Sequence, residues 1–160
     1  MEGMPIVEQG VTTLIATGDV ITASQYSASA TMTLNVGFTS TGGSGTKRTH
    51  SGEILTVCLY SSGGSIEIPA CKVIFFDADP AVPAAAAAIT AAEHQTIIGF
   101  ATIGTTDWIK DGNGATAYKM TALPFHNAHT LYVSILIDAG EATVGSGEII
   151  TGNFWYRRDK

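Results

Sequence analysis

Residues 29–39 read Ser-Ala-Thr-Met-Thr-Leu-Asn-Val-Gly-Phe-Thr, and this stretch indicates the fold class most clearly. Every second residue from Ala30 to Phe38 is apolar, and the residues between them are small or polar. Because successive side chains of a β-strand point to opposite faces of a sheet, this period of two predicts a long strand with one buried face.

The same kind of pattern recurs along the chain. Residues 53–60 place Leu55, Val57 and Leu59 on one face. Residues 72–76 also form a strand, and its residues 73–76 are apolar on both faces, which predicts a central strand. Clusters of Gly, Pro, Asn or Asp bound the other candidates. Further strands are predicted over residues 11–16, 20–25, 66–68, 96–103, 118–122, 130–138 and 148–156.

One segment has a helical signal. Thr90-Ala-Ala-Glu93 has the form of a capping box and follows an alanine-rich stretch. We therefore predict an all-β antiparallel sandwich with one short helix near residues 84–95. The length of 160 residues fits a single domain over residues 1–160, with residues 1–10 as a flexible arm.

Composition narrows the partners. The chain has 14 acidic and 8 basic residues, a net charge of -6, and only 14% charged residues. An acidic chain is not expected to bind nucleic acid, and no apolar run approaches the ~18 residues of a membrane-spanning helix. The first ten residues show no pattern of a secretory signal, so we expect synthesis in a cytoplasm. A weakly charged surface is typical of a protein that assembles with a partner.

The two cysteines, Cys58 and Cys71, both lie in apolar runs. They flank a predicted turn and could face each other across a hairpin. We expect reduced, buried thiols rather than a disulfide.

Three short motifs are candidates for a metal site, but none of them has the residues that such a site requires. Asp111-Gly-Asn-Gly114 resembles the start of a calcium loop, but its twelfth position is Ala122, where a bidentate Glu is needed, so a tight turn is predicted. Asp79 directly before Pro80 is likewise typical of a turn. His126 and His129 precede a strand without the Glu of a zinc helix motif. We predict no catalytic, cofactor-binding or metal-binding residues and no cofactor.

The chain ends with an aromatic and basic cluster. Phe154, Trp155 and Tyr156 precede Arg157 and Arg158. One interpretation is that alternate aromatic residues pack in the sandwich while the tail is solvated. The other is that these five residues form an interface, because aromatic residues and arginine are enriched at protein interfaces.

Four ordered segments resemble a family of small tailed-bacteriophage virion proteins. The resemblance spans roughly residues 21–155 and departs from the family at the alanines of 84–88 and at the aromatic and arginine ending. The segments are Val73-Ile-Phe-Phe-Asp-Ala-Asp-Pro80, Thr90-Ala-Ala-Glu93 with Ile97-Ile98-Gly99, Leu123-Pro-Phe125, and Thr130-Leu-Tyr-Val-Ser134.

The resemblance implies a jelly-roll-like β-sandwich without enzymatic activity. Such a protein decorates or cements the capsid exterior of the virion, as a homotrimer whose partner is the major capsid protein.

A carbohydrate-binding sandwich module is the main alternative. It would need several exposed aromatic side chains on one face, and the candidates Tyr60, Trp108, Tyr118 and Trp155 are scattered along the sequence. A cupin-like enzyme would need a histidine pair with a downstream acid and histidine, and that pattern is absent from the sequence.

Overall fold

The computed structural model describes residues 6–15, 20–22, 24–27, 30–33, 50–62, 70–82, 88–111, 113–128, 130–139, 141–143 and 149–158. The strand predicted over residues 66–68 lies outside these ranges, as do Leu34 to Thr39 of the opening pattern and His129. The elements are β1 (Ile6–Ile15), β2 (Val20–Thr22), β3 (Ala30–Thr33), β4 (His50–Ser61), β5 (Ala70–Phe76), α1 (Ala91–His94), β6 (Ile97–Ile103), a 3-10 turn (Thr105–Asp107), β7 (Trp108–Asp111), β8 (Gly114–Ala128), β9 (Thr130–Ala139), β10 (Glu141–Thr143) and β11 (Ile150–Arg158).

The strands form two main antiparallel sheets. The five-stranded sheet has the order β1-β11-β4-β8-β7, and the four-stranded sheet has the order β3-β9-β5-β6. A short ribbon of β2 and β10 lies next to the β3–β9 pair in sequence. The predicted all-β antiparallel sandwich is confirmed.

The strand order is that of a jelly roll. Without β7 and the short ribbon, eight strands remain, and their chain order is 1-8-3-6 in one sheet and 2-7-4-5 in the other. The first strand thus pairs with the last, the second with the seventh, the third with the sixth and the fourth with the fifth. A long hairpin rolled up on itself gives this pairing, which defines the double-sheet jelly roll.

The two sheets enclose a shared core. Phe75 of β5 meets Phe154 of β11 edge to face, with ring centroids 5.2 Å apart, and neither side chain is exposed. Val57 and Leu131 belong to the same buried cluster, as the alternation in their strands predicts. The residues that alternate with these core positions point to the outer faces of the two sheets.

A second apolar cluster covers the outer face of the four-stranded sheet. Ile74 and Phe76 of β5 point away from the shared core and are buried beneath Tyr26, Val82 and Ile89. This cover explains why residues 73–76 are apolar on both faces. The predicted central position is confirmed, since β5 lies between β9 and β6.

The helix is shorter than predicted. It spans Ala91–His94, and Thr90 is its N-cap with an extended backbone, so residues 88–90 are not helical. The predicted capping box is present, because Thr90 Oγ1 accepts from the Glu93 N–H and the Glu93 carboxylate accepts from the Thr90 N–H. Residues 83–87 lie outside the described ranges.

The N-terminal strand also departs from the prediction. Ile6 to Gly10, expected in a flexible arm, belong to β1 and pair with Arg158 to Phe154 of β11. The period of two is weak there because Glu8 interrupts it, whereas pairing with a central strand supplies the backbone hydrogen bonds.

Candidate interaction surface

The predicted interface residues at the end of the chain lie on β11, which is central in the five-stranded sheet. Phe154 and Tyr156 face the shared core and are fully buried, so their prediction as interface residues is wrong. Trp155 lies between them and faces outward, as alternation along a strand requires. The interpretation in which alternate aromatic residues pack in the sandwich is therefore correct for this trio.

The two arginines are not a freely solvated tail. Arg157 pairs in register with Glu53 of β4, and its Nη2 donates to Glu53 Oε2 at 2.8 Å. Both side chains are partly exposed. Arg158 is half-buried and continues the ladder opposite Ile6 and Gly52.

Apolar and aromatic side chains gather on the outside of the five-stranded sheet, and we call this surface the open face. Cross-strand partners lie on the same side of a sheet, as do residues two apart in a strand. By that rule Trp155, Thr56 and Met120 form one row, and Thr151, Tyr60, Thr116 and Ile109 form another. The exposed large residues of the open face are Val7, Tyr60, Ile109, Tyr118 and Met120, and half-buried Trp155 lies among them.

An aromatic pair crosses the middle of the open face. The rings of Tyr118 and Trp155 have centroids 6.2 Å apart and are tilted by 51°. These residues lie on the strands either side of β4, opposite its Cys58 and Thr56. The rings therefore meet above β4, which explains why Cys58 and Thr56 are buried although they point outward. Burial in turn raises the pKa of the Cys58 thiol.

The open face has almost no charge. Among the described side chains in its rows, Glu53 and Arg157 neutralise each other, and Asp111 lies at the edge in the β7–β8 turn. The neighbouring polar groups are amides and hydroxyls, including Gln9, whose Nε2 donates to Asn153 Oδ1 at 3.3 Å. Such a surface suits an apolar, uncharged partner better than a charged one.

The remaining residues singled out in the sequence serve structure. Asp111 Oδ1 accepts from the N–H groups of Asn113 and Gly114 at 2.7 and 3.0 Å, which closes the β7–β8 turn and confirms the tight-turn prediction. Asp79 Oδ1 accepts from the Ala81 N–H at 2.8 Å in a second turn. Trp108 is half-buried and packs against the shared core, apart from the open face.

Both cysteines are free and buried, as predicted. Cys71 faces the shared core from β5, whereas Cys58 points to the open face from β4, so the two do not face each other across a hairpin. Burial, with a smaller contribution from Asp138, raises the pKa of Cys71 to about 12 against the opposing effect of Lys72.

A shallow pocket of about 270 Å³ lies on the other side of the molecule. The segment of Ser24 and Tyr26 forms one wall, and His94 and Asp138 are among the polar residues of its lining. The Asp138 carboxylate accepts from Lys72. The sequence gave no reason to relate His94 to Asp138, because only the position of α1 beside β9 places both residues in the lining of this pocket.

The described residues contain neither a cluster of metal ligands nor a membrane-spanning helix. In that part of the chain, no three His, Cys, Asp or Glu side chains lie close enough to hold a metal ion together. Nor does any helix there have the length and apolar character needed to cross a membrane.

No protein-family model matches the sequence, and a search of curated proteins finds no significant match. The class of the protein is therefore defined by its fold, a double-sheet jelly roll. Viral capsid proteins, lectins and cupins share this architecture, so function has to be argued from the surface.

Proposed function

We propose that this protein is a non-enzymatic structural protein of a tailed-bacteriophage virion that decorates or cements the capsid exterior. It is made in the cytoplasm of the host bacterium and resides on the capsid surface. Its partners are the major capsid protein and other copies of itself in a homotrimer, and neither nucleic acid nor membrane is a partner.

The combination of a jelly roll with a weakly charged open face carries the proposal. Exposed apolar patches that extend over several strands are typical of surfaces that bind other proteins. Met120 and Ile109 are 80% and 79% exposed, and both lie at the β7–β8 edge of the sheet, close to the exposed Tyr118 and Tyr60. A protein that works as part of a lattice needs such surfaces and no reaction centre.

The segments that resemble phage virion proteins lie in described strands and in the capped helix. Residues 73–80 are the end of central strand β5 and its turn, 90–99 are the capped helix and the start of β6, and 123–125 lie in β8. Residues 130–134 begin β9, the neighbour of β5. The four segments therefore lie in both sheets of the sandwich and not in one local unit.

Binding to capsids tests the proposal. Empty capsids assembled from the major capsid protein of the phage genome that carries this gene are mixed with the purified protein and sedimented. We expect saturable attachment at a fixed ratio to the capsid subunit. Capsids that sediment without the protein, at micromolar concentration and low salt, would contradict the proposal.

A carbohydrate-binding module is the second candidate, because three of its four scattered aromatic residues meet on the open face. Tyr60, Tyr118 and Trp155 lie there with the amides of Gln9 and Asn153 nearby. The 51° tilt between Tyr118 and Trp155 argues against a flat platform for a sugar ring. Binding of the wild type to a glycan array, lost in Trp155→Ala but kept in Trp108→Ala, would favour this candidate.

A further inference from the structure

We infer that the open face is the surface by which one copy of this chain binds a second copy. The inference deepens the proposed function and rests on its symmetric assembly. It assigns the contact between copies to the outside of β1, β11, β4, β8 and β7.

Charge favours a second copy as the occupant. The chain carries a net charge of -6, so two copies repel each other when their charged surfaces approach. On the open face Glu53 and Arg157 form an ion pair at 2.8 Å, and the other described charge is Asp111 in the edge turn between β7 and β8. Two copies can therefore approach at the middle of this face without bringing like charges together.

The area is sufficient for a stable contact. Four strands about 4.8 Å apart over about seven residues, with the four residues of β7 at their edge, give a face of roughly 500 Å². Covering this area on two partners removes roughly 1,000 Å² from water, which is about the minimum expected of a specific interface. In a cyclic trimer the open face contacts a different surface of the next subunit, whereas in a twofold dimer it contacts the open face of the other copy.

The side chains of the face are those that dominate binding energy at interfaces. Trp155 and Tyr118 lie near its centre, and Met120 is next to them in the Trp155 row. Large aromatic residues at the centre of an interface are the usual binding hot spots, and Met adapts its shape to the opposing surface. The contact therefore has a defined centre, at which a charge would be most damaging.

The test compares two substitutions that each place a carboxylate at an exposed apolar residue. Met120→Glu alters the open face, and Phe100→Glu alters the 50% exposed Phe100 on β6 of the other sheet. Sedimentation velocity over a range of concentrations measures self-association of each variant and the wild type. We expect Met120→Glu to weaken it by at least about 30-fold and Phe100→Glu to leave it within about twofold.

A second variant distinguishes loss of the contact from misfolding. Ile109→Glu is at the edge of the face, where the side chain is 79% exposed, so it should weaken assembly while the thermal unfolding temperature stays near that of the wild type. A wild type that remains monomeric at concentrations 100-fold above micromolar overturns the inference. That result is expected if another segment of the chain covers the open face. The inference is also overturned by Met120→Glu assembling like the wild type, or by loss of assembly in Phe100→Glu alone.

Capsid sedimentation separates this inference from the proposed function. A wild type that assembles through Met120 but does not bind capsids removes the decoration function and keeps the assignment of the contact. A protein that binds capsids while Met120→Glu leaves its assembly unchanged keeps the function and removes the assignment.

Discussion

The two sheets of this jelly roll differ in what lies on their outer faces. On the four-stranded sheet, Ile74 and Phe76 are buried by a second cluster that includes Tyr26, Val82 and Ile89. On the five-stranded sheet, Met120 and Tyr118 occupy equivalent outward positions and are exposed in the described structure. Apolar outward residues thus have an intramolecular cover on one sheet, and on the other they are available to a second molecule.

The largest expected effect concerns the covered face. Phe76→Ala should lower the free energy of unfolding by about 3–5 kcal/mol, because the side chain is fully buried in the second cluster and its loss leaves a cavity. Met120→Ala is the matched change on the open face and should cost less than about 0.5 kcal/mol in the monomer. Urea unfolding of both variants measures the difference, and equal losses would show that the two faces do not differ as described.

The next effect comes from alkaline pH and the shared core. Since burial raises the pKa of Cys71 from 9.0 to about 12, the unfolded state loses this proton first and the folded state keeps it. The free energy of unfolding should therefore be unaffected by this thiol below pH 9 and fall by about 1.4 kcal/mol per pH unit between about pH 9 and 12.

Urea unfolding at several pH values measures this decline. In Cys71→Ala the decline should be clearly shallower, whereas Cys58→Ala, whose thiol is less deeply placed, should retain most of it. A decline of the same steepness in wild type and Cys71→Ala would contradict the burial of Cys71.

A smaller effect concerns the segment that covers the four-stranded sheet. Ser134 Oγ donates to the Ser27 carbonyl at 2.7 Å, and Ser27 Oγ accepts from the Ile135 N–H at 2.9 Å, both in buried surroundings. Ser134→Ala removes one partner and should cost about 1–2 kcal/mol. Thr102→Ala, at an exposed position of β6, is the control and should be neutral within about 0.5 kcal/mol. A neutral Ser134→Ala would mean that this bond does not hold the segment in place.

The smallest effect belongs to the ion pair of the open face. Arg157 and Glu53 are partly exposed, and surface ion pairs contribute about 0–1 kcal/mol. Arg157→Gln should therefore change stability by less than about 1 kcal/mol, and a double-mutant cycle with Glu53→Gln should give a coupling in the same range that shrinks in high salt. A coupling above about 2 kcal/mol would indicate that a partner buries the pair in the assembled protein.

The fold was largely predictable because local patterns and the sheet agree. The alternation of Val57 and Leu59 and the two-sided apolar run at 73–76 correctly indicate one-sided and central strands. Leu55 was wrongly placed on the core face, because a bulge puts Ile54 in the core and leaves Leu55 half-buried. The predicted helix was too long because an alanine-rich composition favours a helix. The helix in the structure begins only after Thr90, whose side chain caps its N-terminus. β7 escaped prediction, since its four residues are too few to show a period.

The candidate surface was harder to predict because it depends on register. Tyr60, Tyr118 and Trp155 are far apart in sequence, and only the pairing of β4 with β8 and β11 places them on one face. Alternation within 154–156 was enough to show that the three aromatic residues cannot all point the same way. Which of them points inward followed only from the burial of Phe154 and Tyr156.

Oxidation of Met120 tests the central claim, that a second copy covers the open face, most directly. The wild type and Ile109→Glu are treated with dilute peroxide, and mass spectrometry of peptides follows Met120, with buried Met32 as the internal reference. We predict slow oxidation of Met120 in the wild type and a rate near that of a free methionine in Ile109→Glu, with Met32 slow in both. Met120 oxidised at the free rate in the wild type, at concentrations above micromolar, would contradict the account.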